Sequence, residues 1–109
     1  HNIVAAGAYD QDILLAIKQV ARMQGGLVVV ESGKVIASLA LPIAGLLSDE
    51  PLCDVVAQFE KVENAAKELG SALAAPFAAL SFLALPVIPE LRLTDLGLVD
   101  VNAFKIIEP

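Results

Sequence analysis

The sequence predicts an α+β domain: a small mixed sheet built around a β-hairpin, with two main helices packed on it. Two runs rich in β-branched residues flank Ser32 and Gly33, and Gly supplies the positive φ that a tight hairpin turn needs. On either side of this hairpin, a longer segment repeats its apolar residues at helical spacing. The length of 109 residues suits one domain, so we predict a single domain over residues 1–109.

The chain starts with a short apolar segment that is followed by a helix. Residues 1–7 predict a first strand that enters a loop at Gly7. Asp10 is a favourable N-cap, and apolar residues behind it recur every three or four positions. Gly25 is a natural helix stop because it tolerates the left-handed conformation found after many helices. We therefore predict the first helix over residues 10–24.

The hairpin follows this helix directly. A two-residue loop at Ser32 and Gly33 fixes which residues of the two strands lie opposite each other. The predicted pairs are Glu31 with Lys34, Val30 with Val35, Val29 with Ile36, and Val28 with Ala37. Both faces of this hairpin are largely apolar, so we expect both to be covered. A small domain rarely has enough chain to do this alone.

An apolar loop and a second helix come next. Pro42 ends the strand because it cannot donate a ladder hydrogen bond, and the loop behind it carries no polar side chain before Ser48. Burial against another surface would explain such a loop. Ser48 or Asp49 is expected to cap the second helix, with Pro51 in its first turn. The apolar stripe of this helix consists of Leu52, Val55, Val56, Phe59, Val62, Ala66 and Leu69.

The last third of the chain is less regular. Residues 77–85 fit either a buried helical turn or a buried strand, and periodicity does not decide between them. Pro86 and Pro89 favour an extended or turning backbone over residues 86–89. Residues 91–94 alternate like a short strand, residues 95–97 form a turn, and residues 98–101 and 104–107 fit further short strands.

The composition narrows the class of protein. Hydrophobic residues make up 57% of the chain and charged residues only 18%, which indicates an unusually large buried surface. The longest apolar run, residues 76–88, is shorter than the roughly 20 residues that a membrane-spanning helix needs, so we expect no membrane span. The net charge of −6, with scattered Lys and Arg, argues against nucleic-acid binding.

The sequence contains no set of residues with the spacing of a known catalytic motif. His1 is the only histidine, and no metal-ligand spacing such as HxH or HExxH occurs. Cys53 is the only cysteine, which excludes an internal disulfide, and its place beside the apolar stripe predicts a buried, inert thiol. Gly25 and Gly26 precede a strand rather than a helix, so they do not form a phosphate-binding loop.

Several separate blocks of the sequence nevertheless resemble the same known family. These blocks are residues 23–30, 41–46, 80–89, 93–95 and 97–101, together with the first three residues. In this order they resemble the C-terminal domain of bacterial and archaeal adenine deaminases, and the resemblance covers essentially the whole chain. Ala78 and Ala79 stand where that family often has Met-Thr, and Leu47 where Met is common.

The resemblance implies part of an amidohydrolase-superfamily enzyme that hydrolyses adenine to hypoxanthine and ammonia in purine salvage or catabolism. In that family a divalent metal, manganese or iron, activates a water on a (β/α)₈ barrel that this stretch lacks. We therefore expect an accessory domain that docks on its own barrel in a cytoplasmic homo-oligomer. The alternative is a non-catalytic interaction or dimerisation module, and the chain upstream of His1 would discriminate between the two.

Few residues qualify as site candidates under either hypothesis. We assign none of them to catalysis, cofactor binding or metal binding. His1 and Asn2 are the only candidates for a position near the active site, because they resemble a polar segment at the junction with the barrel. The candidates for a docking interface are Leu41, Pro42, Ile43, Leu46, Pro86, Val87, Ile88 and Pro89.

Overall fold

A computed structural model describes residues 2–108 and confirms the α+β class. The described elements are α1 (Asp10–Arg22), β1 (Gly26–Glu31), β2 (Lys34–Ala40), α2 (Leu52–Glu68), α3 (Pro76–Leu83), β3 (Leu91–Thr94), β4 (Gly97–Asp100) and β5 (Lys105–Ile107). Strands β1 and β2 pair in one sheet, and β3, β4 and β5 follow one another in a second. Every pairing is antiparallel, so two separate antiparallel sheets replace the single mixed sheet that was predicted.

These elements fall into two compact units. Residues 5–76 form one unit, which holds α1, the β1–β2 hairpin and α2. Residues 2–4 and 77–108 form the other, which holds α3 from its second residue onward and the three-stranded sheet. The assignment of residues 1–109 to one domain stays a prediction.

The first segment differs from its prediction at both ends of α1. Residues 2–7 form no strand, and Tyr9, not Asp10, occupies the N-cap position without a side-chain cap. Asp10 instead lies in the first turn, where its charge complements the positive end of the helix dipole. The helix ends at Arg22, and Gln24 and Gly25 follow with φ values of 64° and 119°. The predicted helix over residues 10–24 is therefore confirmed to within two residues.

The hairpin turn forms as predicted, but the register changes beyond it. Ser32 and Gly33 both have positive φ, and Glu31 pairs with Lys34 and Val30 with Val35. A β-bulge then leaves Ile36 without a partner. The pairs that follow are Val29 with Ala37, Val28 with Ser38, and Leu27 with Leu39, so the predicted register was wrong from Val29 onward.

The bulge has a clear physical consequence. In the predicted register, Val29 and Leu39 would lie on opposite faces of the hairpin. One extra residue in β2 brings them onto the same face, where both are buried. Burial of two large aliphatic side chains, each contributing about 1.5–3 kcal/mol, favours the bulged register over the regular one.

Helices α1 and α2 complete the unit formed by residues 5–76. Helix α1 contacts mainly β1, and α2 contacts mainly β2. The buried residues here include Val29, Leu39, Val62 and Ala65, and Val62 is fully buried. The predicted stripe of α2 is thus buried near Val62. Its N-terminal members Leu52, Val56 and Phe59 are exposed, and so is Leu69 at the C-cap.

The start of α2 also differs from the prediction. Pro51 occupies the N-cap position, so neither Ser48 nor Asp49 caps the helix. Ser48 Oγ instead accepts a hydrogen bond from the Glu50 amide at 3.1 Å and closes a local turn ahead of the helix. Proline is tolerated here because an N–H at the start of a helix has no partner within the helix.

The second unit resolves the ambiguity over residues 77–85 in favour of a helix, but the predicted burial was wrong for Phe82 and Leu83, which are exposed. Pro76 is the first residue of α3, a position where proline is well tolerated. The three short strands predicted after it are confirmed, with β4 shifted by one residue to include Gly97. Thr94 Oγ1 supports the turn between β3 and β4, because it donates to the Gly97 carbonyl and accepts from the Leu96 amide.

Candidate functional site

The apolar loop over residues 41–47 has a defined backbone structure. Ile43 and Leu47 exchange two backbone hydrogen bonds of 3.1 Å and form an isolated antiparallel bridge. Ala44 and Gly45 turn the chain between them, with φ values of 57° and 72°. This loop is therefore a miniature hairpin, held by its own backbone hydrogen bonds.

The base of this loop is fixed to the end of α1. Leu41 N donates to the Gly25 carbonyl at 3.0 Å. The backbones of Gly25 and Gly45 approach so closely that a Cβ atom on Gly25 would collide with the Gly45 Cα atom. Gly25 thus does more than stop the first helix, because the absence of its side chain lets the loop pack against the hairpin entry.

The side chains of the loop are largely exposed despite this ordered backbone. Ile43, Leu46 and Leu47 are 48%, 58% and 61% exposed, Pro42 is exposed, and Leu41 is half-buried. An ordered loop that presents three large apolar side chains loses little conformational entropy on binding. Exposed apolar patches of this kind mark interaction surfaces in many proteins.

The second predicted interface segment is less uniform. Val87 is 70% exposed, and Pro86 and Pro89 are exposed as well. Ile88 is half-buried, so it is the least accessible of the four candidates. The exposed residues of this segment are therefore Pro86, Val87 and Pro89.

The structure describes only one of the two candidates for a position near the active site. His1 lies outside the described residues. Asn2 is exposed, and its side-chain amide donates a hydrogen bond to the Leu93 carbonyl at 3.1 Å. This bond ties the start of the described chain to β3, and the role of both residues stays a prediction.

The exposure of Cys53 shows that one sequence prediction was wrong. The thiol was expected to be buried, but Cys53 is exposed. Its position one residue after the first residue of α2 accounts for this, because the N-terminal turns of that helix lie away from the buried stretch around Val62. Among residues 2–108, no group of three His, Cys, Asp or Glu residues could hold a metal ion.

Two polar features were missed by sequence reasoning. Glu63 is largely buried, its Oε2 atom lies 3.8 Å from Lys67 Nζ, and its Oε1 atom has no hydrogen-bond partner. Glu63 and Lys67 are one helical turn apart, so the carboxylate of this i,i+4 pair is the buried partner. A groove of about 370 Å³ also lies between β2 and α2. It is lined by Ile36, Ala37, Ser38, Lys61, Asn64, Ala65 and Glu68.

Comparison with known proteins assigns the chain to a family. Residues 1–105 match the family model described as the adenine deaminase C-terminal domain. The chain belongs to this family.

Relatives of this adenine deaminase C-terminal domain come from several bacteria. An adenine deaminase of Dehalococcoides mccartyi is 59% identical over 107 residues, which cover 98% of this chain and 19% of that protein. Adenine deaminase 2 of Carboxydothermus hydrogenoformans is 52% identical over 108 residues, covering 98% of this chain and 19% of its own length. An adenine deaminase of Brucella abortus is 50% identical over 107 residues, or 98% of this chain and 18% of that protein.

The domain is thus a small part of the proteins it matches. It spans about a fifth of the length of these relatives. Within residues 2–108, no helix combines the length and the apolar character that crossing a membrane requires.

Proposed function

We propose that this chain is the C-terminal part of an adenine deaminase that hydrolyses adenine to hypoxanthine and ammonia in purine salvage or catabolism, in the cytoplasm. The observation that carries the proposal is the 59% identity to the Dehalococcoides mccartyi adenine deaminase, which extends over 98% of this chain. Identity at this level over a whole domain indicates that the two domains share a fold. The proposal therefore concerns the longer polypeptide, of which this domain is one part.

Within that enzyme, we propose an accessory role for this domain in docking and assembly. The loop over residues 41–47 supports this role, because its ordered backbone presents Ile43, Leu46 and Leu47 to the outside. The segment over residues 86–89 adds the exposed Val87. We propose that both segments pack against the catalytic barrel.

The metal of the enzyme belongs to the barrel in this proposal. Residues 2–108 offer no cluster of acidic, cysteine or histidine side chains that fits a metal ion. The expected manganese or iron would activate the attacking water on the barrel, and we derive no step of that chemistry for this domain.

A domain graft tests the proposal directly. The matching C-terminal segment of the Dehalococcoides mccartyi enzyme is replaced by this chain, and hypoxanthine and ammonia formation from adenine are followed. We expect this grafted deaminase to keep kcat/KM within about tenfold of the host enzyme, or roughly 1.4 kcal/mol.

Two controls make the graft decisive. The host enzyme truncated before its C-terminal segment shows how much activity the domain supports. A host whose C-terminal segment is replaced by an unrelated domain of equal length shows whether any folded domain suffices. A grafted deaminase that is folded and metal-loaded but inactive would contradict the proposed function.

The alternative, a non-catalytic interaction or dimerisation module, is favoured by one observation. Large apolar side chains are exposed in both compact units, including Leu52, Leu46 and Phe104. A module of this kind would self-associate or bind a partner without supporting deamination. The mass of the purified chain in solution, together with the activity of the graft, separates the two readings.

A further inference from the structure

Strand β3 of the three-stranded sheet has an inverted alternation of polar and apolar residues. Strand β3 reads Leu91, Arg92, Leu93, Thr94. Its two leucines are 49% and 67% exposed, whereas Arg92 and Thr94 are half-buried. An antiparallel sheet with one solvated face normally shows the opposite arrangement, with apolar side chains inward and polar side chains outward.

The pairing places one apolar residue of β4 and one of β5 beside these leucines. Leu93 lies opposite Leu98, and Leu98 lies opposite Ile107. Directly opposed residues project from the same face of a sheet, and Leu91 shares that face because it is two residues from Leu93. By the same rule Asp100, which pairs with Leu91, and Lys105, which pairs with Asp100, form the charged end of this face. Leu98 and Ile107 are exposed as well. We call the surface of Leu91, Leu93, Leu98 and Ile107 the outer leucine face.

Hydrogen bonds on the opposite face fix this orientation. The Arg92 guanidinium donates to the carbonyls of Leu91 and Pro89 at 2.9 Å and 3.2 Å, and its Nε atom is buried without a partner. Thr94 Oγ1 is bonded to Gly97 and Leu96. A register slip that turned the leucines inward would break these bonds, so the outer leucine face remains exposed in the isolated domain.

We propose that the outer leucine face docks onto the rest of the deaminase polypeptide. This inference rests on the proposed function, and it adds a surface that the predicted interface segments do not include. The partner is a complementary apolar surface of the same polypeptide, outside the 109 residues of this chain.

The size of the face favours this partner over a second copy of the chain. Four partly exposed aliphatic side chains offer an apolar patch of a few hundred Å². A stable dimer between free chains buries about 800 Å² of polar and apolar surface on each partner, which these four side chains alone do not supply. A covalently linked neighbour needs less buried surface for stable contact, because the linkage raises its effective concentration to roughly the millimolar range. The relatives are about five times as long as this domain, so such a neighbour has ample chain.

Cysteine accessibility tests the proposal without burying a charge. Leu93→Cys and Leu98→Cys probe the outer leucine face, and Leu96→Cys in the adjacent turn is the matched control. Each variant also carries Cys53→Ala, because Cys53 is exposed. Maleimide modification rates are read by peptide mass spectrometry, both in the isolated chain and in the grafted deaminase.

We expect the three cysteines to react within about threefold of one another in the isolated chain. In the grafted deaminase, Leu93→Cys and Leu98→Cys should react at least about tenfold more slowly than Leu96→Cys, because a docked surface restricts access to the thiolate. If the graft does not fold, the chain is added in trans to the truncated host and the same rates are compared.

Two results would overturn the inference. Equal rates for all three cysteines in an active grafted deaminase would show that the face is uncovered while the proposed function stands. Slow reaction of Leu93→Cys in the isolated chain, with a doubling of its mass, would assign the face to a second copy. An inactive graft with a protected face would instead count against the proposed function alone.

Discussion

At the scale of single residues, Asp12 holds the hairpin turn. Its Oδ1 atom accepts a hydrogen bond of 2.8 Å from the Gly33 amide, which connects the first turn of α1 to the two-residue loop. Carboxylate acceptors form stronger hydrogen bonds than neutral ones. The bond is exposed, so solvent weakens it, and its net contribution lies near the common value for protein hydrogen bonds.

Substitution of Asp12 measures this contribution. We expect Asp12→Ala to lower the free energy of unfolding by about 1 kcal/mol, because the Gly33 amide loses its fixed acceptor. The matched control is Asp10→Ala, which removes a carboxylate from the same first turn. Urea unfolding of both variants separates the hydrogen bond from the helix-dipole effect, and equal losses would contradict the assignment.

His1 is the residue whose proposed role depends most on the longer polypeptide. An imidazole at the mouth of a metal pocket would donate hydrogen bonds or carry protons near neutral pH. We expect His1→Ala in the grafted deaminase to lower kcat/KM at least about tenfold, or roughly 1.4 kcal/mol of transition-state stabilisation.

Asn2→Ala is the companion variant for His1. Asn2 contributes a hydrogen bond to the Leu93 carbonyl, so its loss should affect stability more than kcat/KM. Unchanged kinetics for His1→Ala, with normal metal content, would leave only a tethering role for the start of this chain.

At the scale of elements, the close approach of Gly25 and Gly45 joins the loop over residues 41–47 to the hairpin entry. A Cβ atom on Gly25 would collide with the Gly45 backbone, and Gly25 also has a φ of 119°. Gly33 provides a matched contrast, since its φ is 77° but a Cβ atom there would meet nothing within 4 Å.

This contrast gives a quantitative prediction. We expect Gly33→Ala to cost about 1 kcal/mol from backbone strain alone. Gly25→Ala should cost about 2 kcal/mol more, because overpacking adds to the strain. Thermal or urea unfolding of the isolated chain measures both variants. Equal costs would show that the loop moves away freely and is not fixed at its base.

The docking role proposed for the loop over residues 41–47 and the segment over residues 86–89 gives a separate prediction. We expect the double substitution Ile43→Asp with Val87→Asp to weaken assembly of the grafted deaminase, because each carboxylate would be desolvated at an apolar interface. Melting temperature, activity and limited proteolysis of the graft report the loss.

The isolated chain is the control for this double variant. Both side chains are exposed there, so its free energy of unfolding should change by no more than about 0.5 kcal/mol. Unfolding of the isolated chain on substitution would place these side chains in the core and contradict the docking role.

At the scale of the whole molecule, the high hydrophobic content of the sequence appears as exposed apolar side chains on the surface. Hydrophobic residues form 57% of the chain, and the described structure leaves many large aliphatic and aromatic side chains exposed in both units. A free-standing domain with such a surface would tend to associate. This surplus supports the proposal that the chain works as one part of a longer enzyme.

The same proposal predicts that the chain alone is inactive. We expect no adenine deamination by the purified chain with added Mn²⁺ or Fe²⁺, because the proposed metal site lies on the absent barrel. Ammonia release is the measurement, and the grafted deaminase under the same conditions is the positive control. Turnover by the chain alone at ordinary enzyme rates, about 1–1,000 per second, would contradict this division of roles.

Local sequence determined much of the fold, because the interactions involved lie between near neighbours. The Ser32–Gly33 turn needs positive φ at adjacent positions, and the apolar spacing of α1 and α2 reports their helical period. The family also followed from the sequence, since blocks such as residues 23–30 and 41–46 keep their order and spacing.

Tertiary packing decided what local patterns left open. The bulge at Ile36 forms because Val29 and Leu39 gain a common buried face, a preference that no local rule for hairpins contains. Residues 2–7 are apolar enough for a strand, yet no described strand pairs with them. A strand depends on a partner elsewhere in the chain, whereas a helix makes its hydrogen bonds within its own segment. The sequence could therefore predict α1, α2 and the tight turn, and only the folded chain could decide α3, the hairpin register and the exposed faces.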